Sequence, residues 1–175
     1  MYEVEVKVPA DLTRVRDRLD ALGADSLGTV EQVDTYYDHP VRSFAETDEA
    51  LRLRRTGDDG YLTYKGPKVD DASKTRREVE VAVDATDAAD GLLRAVGFEP
   101  AAEVRKTRER YAHDGYTVSL DDVDGLGEFV EVEAAGEEAA IDALREGAYD
   151  VLDRLDLDPA DQVRASYLAL LDAQK

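Results

Sequence analysis

The chain has 175 residues, of which 43% are hydrophobic, and this length suits one globular domain spanning residues 1–175. It has 0 Cys and 2 His, which excludes disulfides, thiolate zinc sites and cysteine nucleophiles and leaves carboxylates as the available metal ligands. The formal net charge of -19 argues against a nucleic-acid partner, because proteins that bind nucleic acids neutralise phosphates with basic residues.

The predicted elements begin with a strand followed by a helix. Residues 2–8 alternate between apolar and polar side chains, whereas residues 11–22 carry apolar residues at helical spacing until Gly23 ends the helix. Further strands are predicted near residues 29–38, 50–56, 61–66, 76–84, 101–112, 116–122 and 128–134, and further helices near residues 86–96, 137–155 and 160–173. Residues 66–75 are interpreted either as a mobile lid or as a plain flexible loop.

The chain repeats the pattern of its first strand. The alternation Glu-Val-Glu-Val of residues 3–6 returns at residues 78–81, and each copy is followed by a helix, a Gly and another strand. Chance also produces such a short alternation, and that alternative stays open. Two similar halves made of mostly antiparallel strands close most easily into a barrel, which leaves no exposed sheet edge.

Charged residues share one face of most predicted strands, since residues two apart on a strand point the same way. They are the cations Lys7, Arg52, Arg54, Lys65, Arg76, Lys106 and Arg108 and the carboxylates Glu3, Glu5, Glu78, Glu80, Asp121, Glu131 and Glu133. The opposite face of two strands is a run of Val, at residues 4, 6 and 8 and at residues 79, 81 and 83. We expect helices to bury both runs.

Two interpretations of the charged face are open. Either it is the solvated face of a half-buried sheet, or it lines a wet tunnel inside a barrel. The balance of cations and carboxylates favours the tunnel, because the exposed surface of a chain with a net charge of -19 should be mainly acidic. Enclosed charges need partners or a ligand, and a polyphosphate with Mg²⁺ or Mn²⁺ satisfies both signs.

Motifs along nearly the whole chain carry a resemblance to a known family. They are Glu3-x-Glu5-x-Lys7, Gln32 to Asp38, Ala50 to Arg54, Tyr64-Lys65-Gly66, Arg76-x-Glu78-x-Glu80, Lys106-x-Arg108, Leu120 to Glu133 and the closing Ser166 to Leu171. In this order they resemble the CYTH superfamily, the triphosphate tunnel metalloenzymes, and within it the class IV adenylyl cyclase branch of CyaB type. The resemblance implies an α+β fold: an eight-stranded antiparallel β-barrel with helices packed outside.

The resemblance also implies roles for the charged residues. The triphosphate would be bound by Lys7, Arg52, Arg54, Lys65, Arg76, Lys106 and Arg108. The divalent ion, Mg²⁺ or Mn²⁺, would be held by Glu3, Glu5, Asp121, Glu131 and Glu133, with Glu78 and Glu80 as further candidates. Glu5, Asp121 and Lys7 are the predicted catalytic residues.

The function implied first is a class IV adenylyl cyclase that converts ATP to cyclic AMP and pyrophosphate. Hydrolysis of inorganic, thiamine or nucleoside triphosphate stays open, and so does a non-enzymatic polyphosphate binder. A homodimer is the default expectation for a compact cytosolic domain.

The sequence also predicts the cellular location of the protein. No apolar run approaches the roughly 20 residues that a membrane-spanning helix needs, and Met1-Tyr2-Glu3 does not begin a signal peptide. We therefore expect a cytoplasmic protein without a membrane partner. Asp outnumbers Glu and Arg outnumbers Lys, which suits the surface of a halophilic-type protein in a salt-rich cytoplasm.

Overall fold

The computed structural model describes residues 1–175 and contains one closed barrel of antiparallel strands. The strands are β1 (Tyr2–Pro9), β2 (Asp25–Asp38), β3 (Ala50–Thr56), β4 (Asp59–Lys68), β5 (Lys74–Ala82), β6 (Glu99–His113), β7 (Tyr116–Val123) and β8 (Gly127–Gly136). Around the barrel they follow the order β1-β5-β4-β3-β2-β6-β7-β8, and β8 pairs with β1. The predicted eight-stranded barrel is confirmed.

The seam between β1 and β5 is the shortest in the barrel. These two strands pair only from Tyr2–Arg77 to Glu5–Lys74. By contrast, β2 and β6 pair along nearly their whole length. The barrel is therefore closed by few backbone hydrogen bonds at this one position.

Five α-helices accompany the barrel. They are α1 (Leu12–Leu22), α2 (Phe44–Thr47), α3 (Thr86–Ala95), α4 (Ile141–Arg154) and α5 (Tyr167–Asp172). The side chain of Asp11 begins α1 by accepting backbone hydrogen bonds from Thr13 and Arg14, and Gly23 ends it in the left-handed conformation (φ 71°). None of the helices has both the length and the apolar character needed to span a bilayer.

The largest core lies between one side of the barrel and helices α1 and α4. Val4, Val6 and Val8 of β1 are at most 1% exposed. Val6 and Val8 pack with Leu19 of α1 and Leu152 of α4 in a cluster of 14 buried residues. The expected burial of the first run of Val is confirmed.

The second run of Val is not buried, which corrects our expectation. Val79 and Val81 of β5 are 52% and 56% exposed, and Val83 is half-buried. Helix α3, which follows β5 in the chain, packs elsewhere, because its Leu93 lies in a separate cluster with Leu53 of β3. No helix covers Val79 and Val81 on the outer face of β5.

Two predicted elements differ in extent from the observed ones. Strand β2 begins before residue 29, because Gly28 (φ 96°) lies at a bulge within the strand and does not end it. The helix predicted for residues 160–173 is interrupted by an irregular segment at residues 162–166. After a 3₁₀ turn at Pro159–Asp161 the backbone N–H of Val163 donates to the carbonyl of Lys7 (2.7 Å), and α5 begins only afterwards. The four-residue helix α2 was not predicted, since it is too short for a periodic pattern.

The segment between β4 and β5 is anchored to the C-terminal part of the chain. Arg164 donates hydrogen bonds to the carbonyls of Asp70 (2.6 Å) and Ser73 (3.2 Å). Arg145 donates to the carboxylate of Asp70 (3.2 Å), and Gln162 donates to the carbonyl of Ala72 (3.0 Å). These contacts connect the predicted lid or loop with the tail that precedes α5.

Candidate functional site

A cavity of about 870 Å³ lies inside the barrel, and the predicted charged residues surround it. Its lining includes Glu3, Glu5, Arg52, Arg54, Lys65, Arg76, Glu78, Glu80, Lys106, Arg108, Glu131 and Glu133. The other two, Lys7 and Asp121, contact lining residues and are 1% and 0% exposed. Charged side chains that are far apart in the sequence thus converge, as the tunnel interpretation predicts.

Three carboxylates form an acidic cluster on β1 and β8. Ligand oxygens of Glu3, Glu5 and Glu133 lie within 4.8 Å of one another. Burial, and then the neighbouring carboxylates, raise the pKa of Glu3 and of Glu133. Burial also acts to raise the pKa of Glu5, but Lys74 at 2.9 Å and Lys7 outweigh it and lower this pKa. Hard oxygen donors crowded in this way fit a divalent ion such as Mg²⁺ or Mn²⁺, whose charge would relieve their repulsion.

Asp121 and Glu131 lie outside this acidic cluster and are bound to Arg108. Arg108 donates two hydrogen bonds to Asp121 (2.6 Å each) and one to Glu131 (2.5 Å). Burial acts to lower the pKa of Arg108, but these two carboxylates raise it well above its ordinary value. Both Asp121 oxygens are therefore engaged by Arg108, and a metal-binding role for Asp121 or Glu131 stays a prediction.

Two arginines of β3 point into the cavity with different partners. Arg54 donates two hydrogen bonds of 2.7 Å to Asp34 on the neighbouring strand β2. Arg52 donates to the hydroxyl of Thr63 (3.1 Å), which in turn donates to Glu80 (2.8 Å). Although burial acts to raise the pKa of Asp34, Arg54 lowers it well below its ordinary range.

The cations of β4 and β5 are also paired. Lys65 forms an ion pair with Glu78, directly across the β4–β5 ladder. Arg76 donates to the carboxylate of Asp48 (2.9 Å) and to the carbonyl of Gly66 (2.7 Å). A phosphate chain entering the cavity would therefore exchange existing carboxylate and carbonyl partners for phosphate oxygens.

Lys7 and Lys106 differ from the other lysines of the site, Lys65 and Lys74, because no carboxylate lies within hydrogen-bond distance of either ammonium. The nearest carboxylate oxygens of Lys7, on Glu5 and Glu131, are 3.9 Å away, and Lys7 Nζ makes no hydrogen bond. The nearest carboxylates of Lys106 are also 3.9 Å away. Burial lowers the pKa of Lys7 to about 8, and burial together with Arg108 lowers the pKa of Lys106 to about 7.

Apolar and aromatic residues also line the cavity. Tyr36 at the end of β2, Phe44 of α2, Leu51 of β3, Ala102 of β6 and Leu168 of α5 contribute to its wall. The lining of the cavity thus contains apolar as well as charged residues.

Three residues of the site were not predicted from the sequence. Lys74 and Asp34 bind predicted site residues. Strand alternation could have indicated them: Lys74, for example, lies two residues before Arg76 on β5 and therefore shares its face. The third is Tyr167 of α5, which lines the cavity and donates a hydrogen bond to Asp121 (2.7 Å). No periodic pattern pointed to Tyr167, because a single residue of the tail reaches the cavity from outside the sheet.

Comparisons with known proteins agree with this architecture. A family profile describing the CYTH domain matches residues 1–167. A putative adenylate cyclase of Methanocaldococcus jannaschii is 37% identical over 172 residues, which cover 97% of this chain and 98% of that protein. The adenylate cyclase CyaB of Aeromonas hydrophila is 29% identical over 176 residues, covering 98% and 89%. The solved PH1819 protein from Pyrococcus horikoshii is 38% identical with a TM-score of 0.90, covering 99% of each chain. The chain belongs to the CYTH family.

Proposed function

We propose that this protein is a divalent-metal-dependent enzyme of the class IV adenylyl cyclase type, which converts ATP to cyclic AMP and pyrophosphate. The observation that carries the proposal is the convergence of cations and carboxylates from seven strands around one cavity. The names of the two adenylate cyclase relatives point in the same direction.

In this proposal the phosphate chain is bound by the cations of the cavity wall. Arg52, Arg54, Lys65, Arg76 and Lys106 approach it from four strands, so several oxygens are contacted at once. Guanidinium groups donate paired hydrogen bonds to phosphate oxygens, and ammonium groups act as point charges. Arg108, which also lines the cavity, and the more deeply buried Lys7 complete the set of phosphate ligands.

The acidic cluster would hold the metal ion. Glu3, Glu5 and Glu133 are its proposed ligands, with Asp121, Glu131, Glu78 and Glu80 as the remaining candidates. A bound divalent ion would neutralise charge on the phosphate oxygens. Asp121 holds the guanidinium of Arg108 in a fixed orientation, which is the contribution that we propose for this predicted catalytic residue.

The reaction itself requires positioning and charge stabilisation. The ribose 3′-hydroxyl attacks the α-phosphorus, the bond from that phosphorus to the β-phosphate oxygen breaks, and the hydroxyl proton is released. The cations of the wall stabilise the negative charge that develops on the leaving pyrophosphate. The apolar lining residues Tyr36, Phe44, Leu51, Ala102 and Leu168 would offer contacts to an organic group such as a nucleoside.

Product analysis tests the proposal. The purified protein is incubated with ATP or inorganic triphosphate and Mg²⁺ or Mn²⁺ at several salt concentrations. Cyclic AMP and pyrophosphate are the expected products from ATP. Orthophosphate as the main product would instead identify a triphosphatase, and retention without turnover would identify a polyphosphate binder.

A matched pair of arginines on β3 tests the binding role of the cavity. Arg52→Ala is expected to weaken binding of ATP at least about tenfold, because a buried charged hydrogen-bond donor to phosphate is lost. Arg55→Ala is the control, since Arg55 lies on the same strand but pairs outside with the exposed Asp87. Calorimetric titration measures both variants, and equal affinities would contradict a phosphate site at Arg52.

A further inference from the structure

The tail of the chain places one aromatic side chain inside the barrel. Tyr167 is the first residue of α5 and is 6% exposed, although the helix has only six residues. The preceding segment is tied to the barrel by the hydrogen bonds of Val163 to Lys7 and of Arg164 to the β4–β5 segment. Behind the ring, Tyr167 packs against Phe129, with ring centroids 5.2 Å apart, and against Val104. Its position is therefore fixed from several sides.

Tyr167 contacts the two lysines that lack carboxylate hydrogen bonds. The Nζ atom of Lys7 lies 4.1 Å from the centroid of the ring, and the Nζ atom of Lys106 lies 5.0 Å from it. The hydroxyl donates to Oδ2 of Asp121, the carboxylate that holds Arg108. One side chain thus contacts two cations of the proposed phosphate site and the carboxylate that orients a third.

The chemistry of an aromatic ring explains what such a contact provides. A ring face attracts an ammonium group electrostatically, but it has no lone pair that would occupy an N–H donor in the way a carboxylate does. Lys7 Nζ is fully buried and has unused donors. A carboxylate in place of the ring would bind the lysines and compete with a phosphate oxygen for the same donors.

We propose that Tyr167 is a positioning residue of the triphosphate site. Its ring holds Lys7 and Lys106, and its hydroxyl holds Asp121. The ammonium N–H groups of the two lysines thereby remain free for a phosphate oxygen. This inference rests on the proposed function in that it takes a phosphate chain as the ligand. It assigns the tail helix α5 a share in substrate binding, which the charged residues of the strands alone do not suggest.

Two substitutions of Tyr167 separate its ring from its hydroxyl. Tyr167→Leu removes the ring, and its dissociation constant for inorganic triphosphate is expected to rise about tenfold, in line with lost cation–π contacts at a desolvated site. Tyr167→Phe keeps the ring, and its dissociation constant is expected to stay within about threefold of the native value. Its kcat for ATP is expected to fall more than its KM rises, because the orientation of Asp121 and Arg108 is loosened.

Tyr116→Leu is the control for a purely structural effect. Tyr116 lies on the outer face of β7, is partly buried and donates to the carbonyl of Leu144 in α4, far from the cavity. Its substitution is expected to lower the melting temperature but to leave the affinity for triphosphate unchanged. If Tyr167→Leu fails to fold, Tyr167→Met, which fills the site without an aromatic face, carries the same expectation.

A crystal structure of the ligand-free Tyr167→Leu variant tests the inference independently of binding. Lys7 Nζ is expected to move from 3.9 Å to hydrogen-bond distance of Glu5 or Glu131 once the ring is gone. Unmoved lysines, or an unchanged affinity of the Leu variant, would overturn the positioning role. A different result would separate the two proposals: the native protein neither binds nor converts any triphosphate, but Lys7 still moves in the variant. This would overturn the proposed function and its phosphate ligand, whereas the contact between the ring and the lysines would stand.

Discussion

The strands β1 and β5 share the run Glu-Val-Glu-Val but meet different surroundings. In both, glutamates point into the barrel and valines point outward. Helices α1 and α4 cover the valines of β1, whereas the valines of β5 are more than half exposed at Val79 and Val81. Local alternation therefore determines which side chains share a face, but the path of the helices determines whether that face is buried.

The inner faces of the two strands also differ. Glu5 is 4% exposed and lies in the acidic cluster with Lys74 close by, whereas the side chain of Glu80 is 47% exposed and lies near Arg52. The second copy ends in Ala82 at the position where the first has Lys7. The first copy thus places more deeply buried charges inside the barrel than the second copy does.

Substitution of the two glutamates tests this difference at the level of activity. Glu5→Gln is expected to lower kcat at least about 100-fold, because a proposed ligand of the divalent ion loses its charge. Glu80→Gln is expected to lower kcat less than about tenfold, because its carboxylate is half exposed. Steady-state rates at saturating ATP and metal measure both, with thermal melting as the folding control. Losses of equal size would remove the distinction between the two strands.

Substitution of the two outward valines tests the same comparison at the level of stability. Val6→Ala is expected to lower the free energy of unfolding by about 2 kcal/mol, because it leaves a cavity under α1 and α4. Val81→Ala is expected to change it by less than about 0.5 kcal/mol, because the side chain is already in contact with water. Urea unfolding of both variants gives the two values. A large loss at Val81 would mean that something covers β5 in solution.

The acid dependence of stability sharpens the contrast between inner and outer charges. Arg54 holds the pKa of Asp34 below the unfolded value of about 3.9, so this carboxylate stabilises the fold above about pH 4 and the contribution is lost as the pH falls further. The destabilisation caused by Asp34→Asn is therefore expected to shrink by roughly 1 kcal/mol or more between about pH 6 and about pH 3.

The matched control for Asp34 is an acidic residue on the outside. Asp87→Asn removes a fully exposed partner of Arg55, and water screens that pair, so its effect is expected to stay small throughout. Denaturant unfolding at several pH values measures both variants. A destabilisation by Asp34→Asn that stays constant with pH would contradict the inner ion pair as its source.

Much of this architecture could be predicted from the sequence. The alternation of side chains along a strand placed Glu3 with Glu5 and Arg52 with Arg54 on common faces. The balance of cations and carboxylates on these faces indicated that they are enclosed. The resemblance added the number of strands and the convergence of Arg76, Lys106 and Glu131. Such features depend on local alternation, which the barrel preserves.

The remaining features depend on contacts between distant segments. The exposure of Val79 follows from where α3 packs, and the short α5 follows from the hydrogen bonds of residues 162–166 to the barrel. Tyr167 enters the cavity because those contacts hold the tail there. The engagement of Asp121 by Arg108 likewise arises from side-chain geometry across β6 and β7, which a linear motif does not contain.

The short seam between β1 and β5 determines where the barrel is expected to open locally. Amide protons there are protected by few neighbours, so local opening should start at this junction. Separation of the two strands would part Glu5 from Lys74 and admit solvent between them. A transient opening of the β1–β5 seam would then also release Lys74 from Glu5, next to the acidic cluster.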